Sequence, residues 1–99
     1  MSHGQPNVRT RNFKKLLERL PPHIQQAASE AFHFFLKNPH HEMLNRHDLK
    51  DTKKGRHRNG SVSISLVQNY RAIFVLDGST NVWYWIGSHE DYNNFVGKI

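Results

Sequence analysis

The amino-acid sequence predicts a small α+β domain, with helices in its first half and an antiparallel β-sheet in its second. The chain has 99 residues, the length of one compact domain. Apolar residues recur with helical spacing before residue 40, and they alternate with polar residues after residue 60. This order of elements is typical of the α+β class. Because this length rules out a second independent core, we expect a single domain over residues 1–99.

Two amphipathic helices are predicted in the first half. Apolar residues at i, i+3, i+4 and i+7 from position 13 favour a helix over about residues 12–20, and Thr10 or Asn12 can cap it. A proline pair at 21–22 ends this helix and begins the next, whose apolar stripe continues to residue 38. Residues 7–10 are a candidate for a brief strand.

Three strands, joined as an antiparallel meander, are predicted in the second half. Residues 61–66 alternate strictly between polar and apolar, as a strand with one buried face does. Residues 70–76 are apolar on both faces apart from Arg71, so we expect a central strand. Residues 77–81 predict a hairpin loop, which leads into an aromatic strand over residues 82–87.

The aromatic side chains of this last strand are expected to lie in the core. If the strand alternates regularly, Tyr84 shares a core-facing side with Val82 and Ile86. Stacking of Trp83 or Trp85 on nucleic-acid bases is the alternative.

The remaining segments are less regular. Ser88 and Asp91 have the spacing of a capping box, which predicts a short C-terminal helix. Residues 38–60 show no clear period and predict a long loop, which is unusual in a compact domain unless the loop is functional.

The positive charge is concentrated in two segments. The chain has 14 Lys+Arg against 8 Asp+Glu, a formal net charge of +6, and eleven of the cations lie in residues 9–19 and 46–58. Such clustering favours a polyanionic partner, most often nucleic acid, because neutralised phosphates release counterions. A solvated charged face is the alternative interpretation.

Several function classes are excluded or disfavoured. The absence of cysteine excludes a disulfide framework, a thiolate metal site and a thiol nucleophile. The sequence contains no glycine-rich nucleotide-binding motif, no His-Glu-x-x-His and no His-x-His, so we expect neither a cofactor nor a metal. No apolar run approaches the roughly 20 residues of a membrane span, and the N-terminus has no secretory signal. We therefore expect a soluble, cytoplasmic protein.

Arg71 and His89 are the residues most suggestive of chemistry. A guanidinium at the end of an apolar strand must pair with an anion or reach the surface, so Arg71 predicts either a salt bridge or a phosphate contact. His89 follows the last strand, where an imidazole with a pKa of roughly 6.5 can transfer protons at cellular pH. A solvated surface histidine is the alternative for His89.

The order of elements and several short motifs resemble the RelE/ParE superfamily of type II toxins. The strongest matches are Tyr70-Arg71 in the central strand and the run IGSHEDY at residues 86–92. Shorter matches are Leu49-Lys50, Gly55-Arg56 and Ser63-Ile64. The resemblance covers nearly the whole chain, and it implies two N-terminal helices packed on a twisted antiparallel sheet whose other face carries a basic groove for RNA.

For the ribonuclease branch, the resemblance implies a metal-independent endoribonuclease that cuts mRNA on the ribosome, inhibits translation, and is blocked by a cognate antitoxin. In that scheme Arg71 stabilises developing charge, His89 is an acid or base, and His47 is the second acid–base candidate. Tyr92 stacks on or orients a base. Four cations hold phosphates: Lys50, Lys53, Arg56 and Arg58.

The resemblance leaves alternatives open. The same superfamily contains ParE-like gyrase poisons, which typically lack a histidine after the last strand, so His89 favours the ribonuclease branch. The founding RelE pattern uses lysine and arginine where this chain has histidine, so the chain departs from that pattern at the acid–base positions. A non-enzymatic RNA-binding domain is the third interpretation.

Overall fold

The predicted helices and strands form in the predicted order. A computed structural model describes residues 6–67 and 69–98. The elements are β1 (Asn7–Arg9), α1 (Arg11–Glu18), α2 (Pro22–Lys37), a 3₁₀ turn (Glu42–Leu44), β2 (His47–Asp48), β3 (Ser61–Val67), β4 (Tyr70–Asp77), β5 (Thr80–Ser88) and α3 (His89–Val96). Thr10, not Asn12, caps α1, since its hydroxyl accepts a hydrogen bond from the Phe13 N–H at 3.1 Å. Within the described residues, no helix is long and apolar enough to cross a membrane.

The five strands form one sheet in the order β1-β5-β4-β3-β2, so β4 is central as predicted. β3, β4 and β5 are the predicted antiparallel meander. The sheet is nevertheless mixed, because the brief N-terminal strand pairs in parallel with β5, with Val8 opposite Val82. At the other edge, β2 pairs with β3 and gives the long segment 38–60 one short regular piece.

The hairpin between β4 and β5 is tighter than the predicted loop over residues 77–81. Asp77 pairs with Thr80, and Asn81 pairs with Leu76, so only Gly78 and Ser79 remain in the turn. Gly78 has a φ of +62°, in the left-handed region that favours glycine.

One core lies between the sheet and helices α1 and α2. Trp83 is at its centre, 2% exposed. Its ring centroid lies 4.6 Å from that of Phe74 and 5.2 Å from that of Phe35, and two further phenylalanine rings lie within 6.3 Å. These contacts explain how a chain with modest hydrophobic content buries enough apolar area on this face.

A second core lies on the opposite face of the sheet, under α3. Ile73 and Val75 of β4 pack there against Tyr92 and Val96 of α3, and Leu49 of the long loop covers their edge. The sheet is therefore covered on both faces, by α1 and α2 on one and by α3 with the loop on the other.

The expectation that Tyr84 shares a face with Ile86 is wrong. The register between β4 and β5 shifts so that Ile73 pairs with Trp85 and Phe74 with Trp83, which leaves Tyr84 as the extra residue of a β-bulge. Tyr84 and Trp85 consequently both face α3, whereas Ile86 faces α1 and α2. All three aromatic residues of the run 83–85 are buried, as predicted.

Candidate active site

The polar positions of β3 are a row of serines on the face turned toward α3. Because the strand alternates, Val62 and Ile64 face α1 and α2, and the serines face the other way. Ser63 is fully buried and Ser65 is half-buried. Buried hydroxyls need hydrogen-bond partners, and both of these serines bind the side chain of Arg71.

The Arg71 guanidinium is held by three neutral acceptors. Its Nε donates to the Ser63 hydroxyl at 2.7 Å, its Nη1 to the Ser65 hydroxyl at 2.8 Å, and its Nη2 to the Asn45 backbone carbonyl at 2.8 Å. The prediction offered a carboxylate partner or an exit to the surface; no carboxylate in the described ranges 6–67 and 69–98 pairs with Arg71, and its side chain is buried. Arg71 is only 7% exposed, because its side chain lies along β3 beneath the long loop.

This arrangement leaves Arg71 hydrogen-bonded but not neutralised. Burial lowers the pKa of Arg71 from its usual range, and the nearby Tyr92 hydroxyl opposes that shift. A guanidinium has five N–H groups, so after these three bonds one N–H on Nη1 and one on Nη2 remain. A cation of this kind is suited to contact a developing negative charge.

Tyr92 packs beneath Arg71 and does not offer a free face for a base. The Arg71 Cζ lies 5.0 Å from the centroid of the Tyr92 ring. The centroid of the Trp85 ring lies 6.2 Å from the centroid of the Tyr92 ring. Tyr92 is 2% exposed, so the prediction that it stacks on a base does not fit this structure. Within the described part of the chain, the buried Tyr92 hydroxyl has no hydrogen-bond partner.

His89 lies beside this pair at the surface. It is the first residue of α3, whose N-terminus is capped by the Ser88 hydroxyl accepting from the Asp91 N–H at 3.1 Å, as the spacing predicted. The backbone N–H of His89 donates to the Asn69 carbonyl at 2.6 Å. Its ring is exposed and lies 6.1 Å from the Tyr92 ring at 26°, so Tyr92 links His89 to Arg71.

His47 reaches the same region from the opposite edge of the sheet. It is exposed in β2, directly opposite Ser63. Asn45, two residues earlier, has a left-handed backbone with a φ of 45°, and its carbonyl binds Arg71. Arg71 and His89 therefore both lie against the Tyr92 ring, and His47 lies opposite Ser63, which is an acceptor of Arg71.

The basic loop, residues 46–58, is anchored on the same face as Arg71. The Arg56 N–H donates to the Phe95 carbonyl at 2.7 Å, and the Arg58 N–H donates to the Tyr84 hydroxyl at 2.9 Å. Both guanidinium groups also lie over these rings, at 5.7 and 5.5 Å. The four predicted phosphate-binding cations are all exposed: Lys50, Lys53, Arg56 and Arg58.

The sequence prediction missed the acceptors of Arg71. Ser63 and Ser65 were assigned only to a strand, and Asn45 only to a loop. The signal that could have found the serines is the strict alternation itself, because it places a hydroxyl at every second position beside the predicted central strand. Within residues 6–67 and 69–98, no group of three or more histidine or carboxylate side chains could hold a metal ion.

Comparison with known families identifies the domain. A family model described as the ParE-like toxin domain matches residues 22–94, which is most of the chain. The chain belongs to this family. The toxin domain is thus a member of the RelE/ParE superfamily, as the sequence resemblance predicted. Comparison with curated protein sequences gives no match.

Solved structures share the fold of this toxin domain. A chain of the toxin–antitoxin complex RelBE2 from Mycobacterium tuberculosis matches with a TM-score of 0.65 and 22% identity, over 86% of this chain and 98% of that one. YafQ from Escherichia coli matches with a TM-score of 0.67 and 11% identity, over 89% and 97%. The RelB–RelE antitoxin–toxin complex from Methanococcus jannaschii matches with a TM-score of 0.57 and 19% identity, over 89% and 96%. At these identities the likeness establishes the fold alone.

Proposed function

We propose that this toxin domain is the toxin of a type II toxin–antitoxin system and a cytoplasmic endoribonuclease that cuts messenger RNA on the ribosome. The observation that carries the proposal is Arg71, a buried cation with neutral acceptors, beside an exposed His89 and an anchored basic loop. Two of the structures with this fold are toxin–antitoxin complexes, which supports a cognate antitoxin as the partner that blocks the domain.

The chemistry requires little beyond positioned charge and proton transfer. RNA supplies its own nucleophile, the 2′-hydroxyl, so the protein has to align it, remove its proton, stabilise the phosphorane and protonate the leaving 5′-oxygen. Arg71 stabilises the phosphorane charge, and His89 and His47 exchange the two protons. None of these steps draws on a metal ion or a cofactor.

RNA binding uses the basic loop, and it requires that a group covering Arg71 move aside. The exposed cations of the loop contact phosphates and orient the message. Arg71 is only 7% exposed in the free protein, so the scissile phosphate reaches it by displacing a group that covers it. The Asn45 carbonyl is suited to this exchange, because a phosphate oxygen is a stronger acceptor for a guanidinium N–H than a neutral carbonyl.

The test is to induce the protein in cells, measure protein synthesis, and map the 5′ ends of messages. We expect translation to stop and new 5′ ends to appear within coding regions. Cleavage of ribosome-bound message by the purified protein in a single turnover would establish that the domain itself cuts. Arg71→Ala is the inactive control, expected to lower the cleavage rate roughly 100-fold or more.

The matched family is described as ParE-like, so a ParE-like gyrase poison is the second candidate function. On that alternative, induction causes DNA damage and leaves message ends unchanged. Binding of ribosomes or RNA with no cleavage by the purified protein would instead indicate a non-enzymatic RNA-binding domain. Either result would overturn the ribonuclease proposal.

A further inference from the structure

The two serine hydroxyls under Arg71 do more than satisfy a buried group. We propose that Ser63 and Ser65 are positioning residues, which fix the Arg71 guanidinium for reaction without cancelling its charge. This inference rests on the proposed ribonuclease function, in which Arg71 meets the phosphorane.

The first argument is geometric. Ser65 pairs directly with Arg71 across the β3–β4 ladder, and Ser63 is the next residue on the same face of β3. The two hydroxyls bind adjacent nitrogens of the guanidinium, Nε at 2.7 Å and Nη1 at 2.8 Å. Two bonds to one strand fix both the position and the plane of the group, and the strand is held inside the sheet. Catalytic groups supported in this way keep their geometry better than groups on loops.

The second argument concerns the chemistry of the acceptors. A carboxylate at either position would hold the guanidinium at least as firmly, but it would also neutralise the charge that the phosphorane needs. An apolar residue would leave the charge intact and the donor unbound. A hydroxyl accepts the hydrogen bond and carries no charge, so it holds Arg71 in place without supplying a counter-charge.

Ser61 provides a matched control within the same strand. It is buried on the same face as Ser63, but its hydroxyl donates to the Arg58 carbonyl at 2.6 Å and lies 2.6 Å from the Tyr84 hydroxyl. Removal of this hydroxyl perturbs a buried hydrogen bond of β3 without touching Arg71. Its effect measures what a merely structural serine contributes.

The experiment compares Ser63→Ala, Ser65→Ala and Ser61→Ala in single-turnover cleavage of ribosome-bound message. We expect the first two to lower the maximal cleavage rate by roughly 10- to 100-fold, as misplacement of a catalytic group does, with little change in the half-saturating ribosome concentration. Ser61→Ala should keep the maximal cleavage rate close to the parental value, and any effect of losing its bond to the Arg58 carbonyl should appear in the half-saturating ribosome concentration. Ser65→Thr restores a hydroxyl on a residue type that suits a strand, and it should recover most of the rate lost in Ser65→Ala.

Ser65→Asp distinguishes two effects of the serine, holding the Arg71 guanidinium in place and leaving its charge uncancelled. Ser65 is half-buried, so a carboxylate can enter and pair with Arg71. We expect this variant to melt at or above the parental temperature and to lose roughly 100-fold or more in cleavage rate, because the charge is cancelled. Cleavage by Ser65→Asp at the parental rate would overturn the proposal. If Ser63→Ala does not fold, the three Ser65 variants decide the question alone.

A measurement on the free protein keeps this inference distinct from the function on which it rests. The Nε–H of Arg71 should exchange slowly with solvent in ¹⁵N NMR spectra, and it should exchange faster in Ser63→Ala but not in Ser61→Ala. A parent protein that shows slow exchange but cuts no RNA would overturn the proposed function and, with it, this inference. A parent that cuts, with alanine variants that exchange fast but cut at the parental rate, would overturn the positioning role alone.

Discussion

Arg71 shows how an apolar central strand can contain an arginine. Burying an unpaired guanidinium is costly, and the usual solution is a carboxylate. Here three neutral acceptors take its place, and hydrogen bonds from a charged donor contribute about 1.5–3 kcal/mol each. The Tyr92 ring adds a cation–π contact on one side. The guanidinium is therefore hydrogen-bonded inside the domain, with no carboxylate partner among residues 6–67 and 69–98.

At His89 we predict a loss of activity without a loss of stability. His89→Gln should lower the single-turnover cleavage rate by roughly 100- to 10,000-fold, because the variant removes the imidazole that transfers a proton in the proposed reaction. The ring is exposed, so the free energy of unfolding in urea should change by less than about 0.5 kcal/mol.

The control for this variant is His33→Gln, an exposed histidine on α2. It should leave the cleavage rate as in the parent. If His89→Gln still arrests growth as the parent does, the acid–base role passes to His47.

The basic loop has an irregular backbone that is held in place by contacts with α3 and β5. Its backbone is bonded to α3 at Phe95 and to β5 at Tyr84, and two of its guanidinium groups rest on those rings. Tyr84 alternates with Trp83 and so faces the loop, and the bulge places Trp85 on that same face, where its ring stacks on Phe95 at 5.0 Å. Side chains of β5 and α3 thereby hold a loop that has no periodicity of its own.

For this loop we predict an additive electrostatic surface. Alanine at any one of Lys50, Lys53, Arg56 or Arg58 should weaken RNA or ribosome binding by a similar factor. Each change should also reduce the slope of log affinity against log salt by roughly 0.7 to 0.9, one phosphate contact. Lys37→Ala, at the end of α2, is the control and should leave the slope unchanged. A loop variant that binds normally but no longer cuts would show that its cation is catalytic.

Across the whole molecule, one face of the sheet carries the main aromatic core and the other face carries the proposed site. The face under α1 and α2 carries the aromatic core around Trp83, and the other face carries Arg71, α3 and the basic loop. Substitutions in the first core should therefore act through stability, whereas those on the second face act on both stability and the site.

The molecule as a whole should also work without a metal ion. We predict that the purified domain cuts message at its normal rate in excess EDTA, because the 2′-hydroxyl is the nucleophile and the proposed charges come from side chains. The assay needs message already loaded on ribosomes, with the magnesium that ribosomes require restored as a control. A rate that falls in EDTA and returns with zinc or manganese, but not with magnesium alone, would contradict the prediction.

Local patterns in the sequence were sufficient for most of the elements and for naming the candidate residues of the proposed site. The helical stripe before residue 40, the alternation of residues 61–66 and the capping spacing of Ser88 and Asp91 each depend on neighbours a few residues apart, so they could be recognised without the fold. The same is true of the cationic loop and of the exposed His89 that follows β5.

The partners of those residues could not be recognised in this way, because they depend on contacts between distant parts of the chain. Asn45 binds Arg71 across 26 positions of sequence, and β1 pairs with β5 across more than seventy. The bulge at Tyr84 and the burial of Tyr92 follow from how β4, β5 and α3 pack together, and no local pattern encodes that packing. The types of side chain at the site can thus be read from the sequence. Their burial, their hydrogen bonds and the charge they retain depend on how the sheet, the helices and the loop pack together.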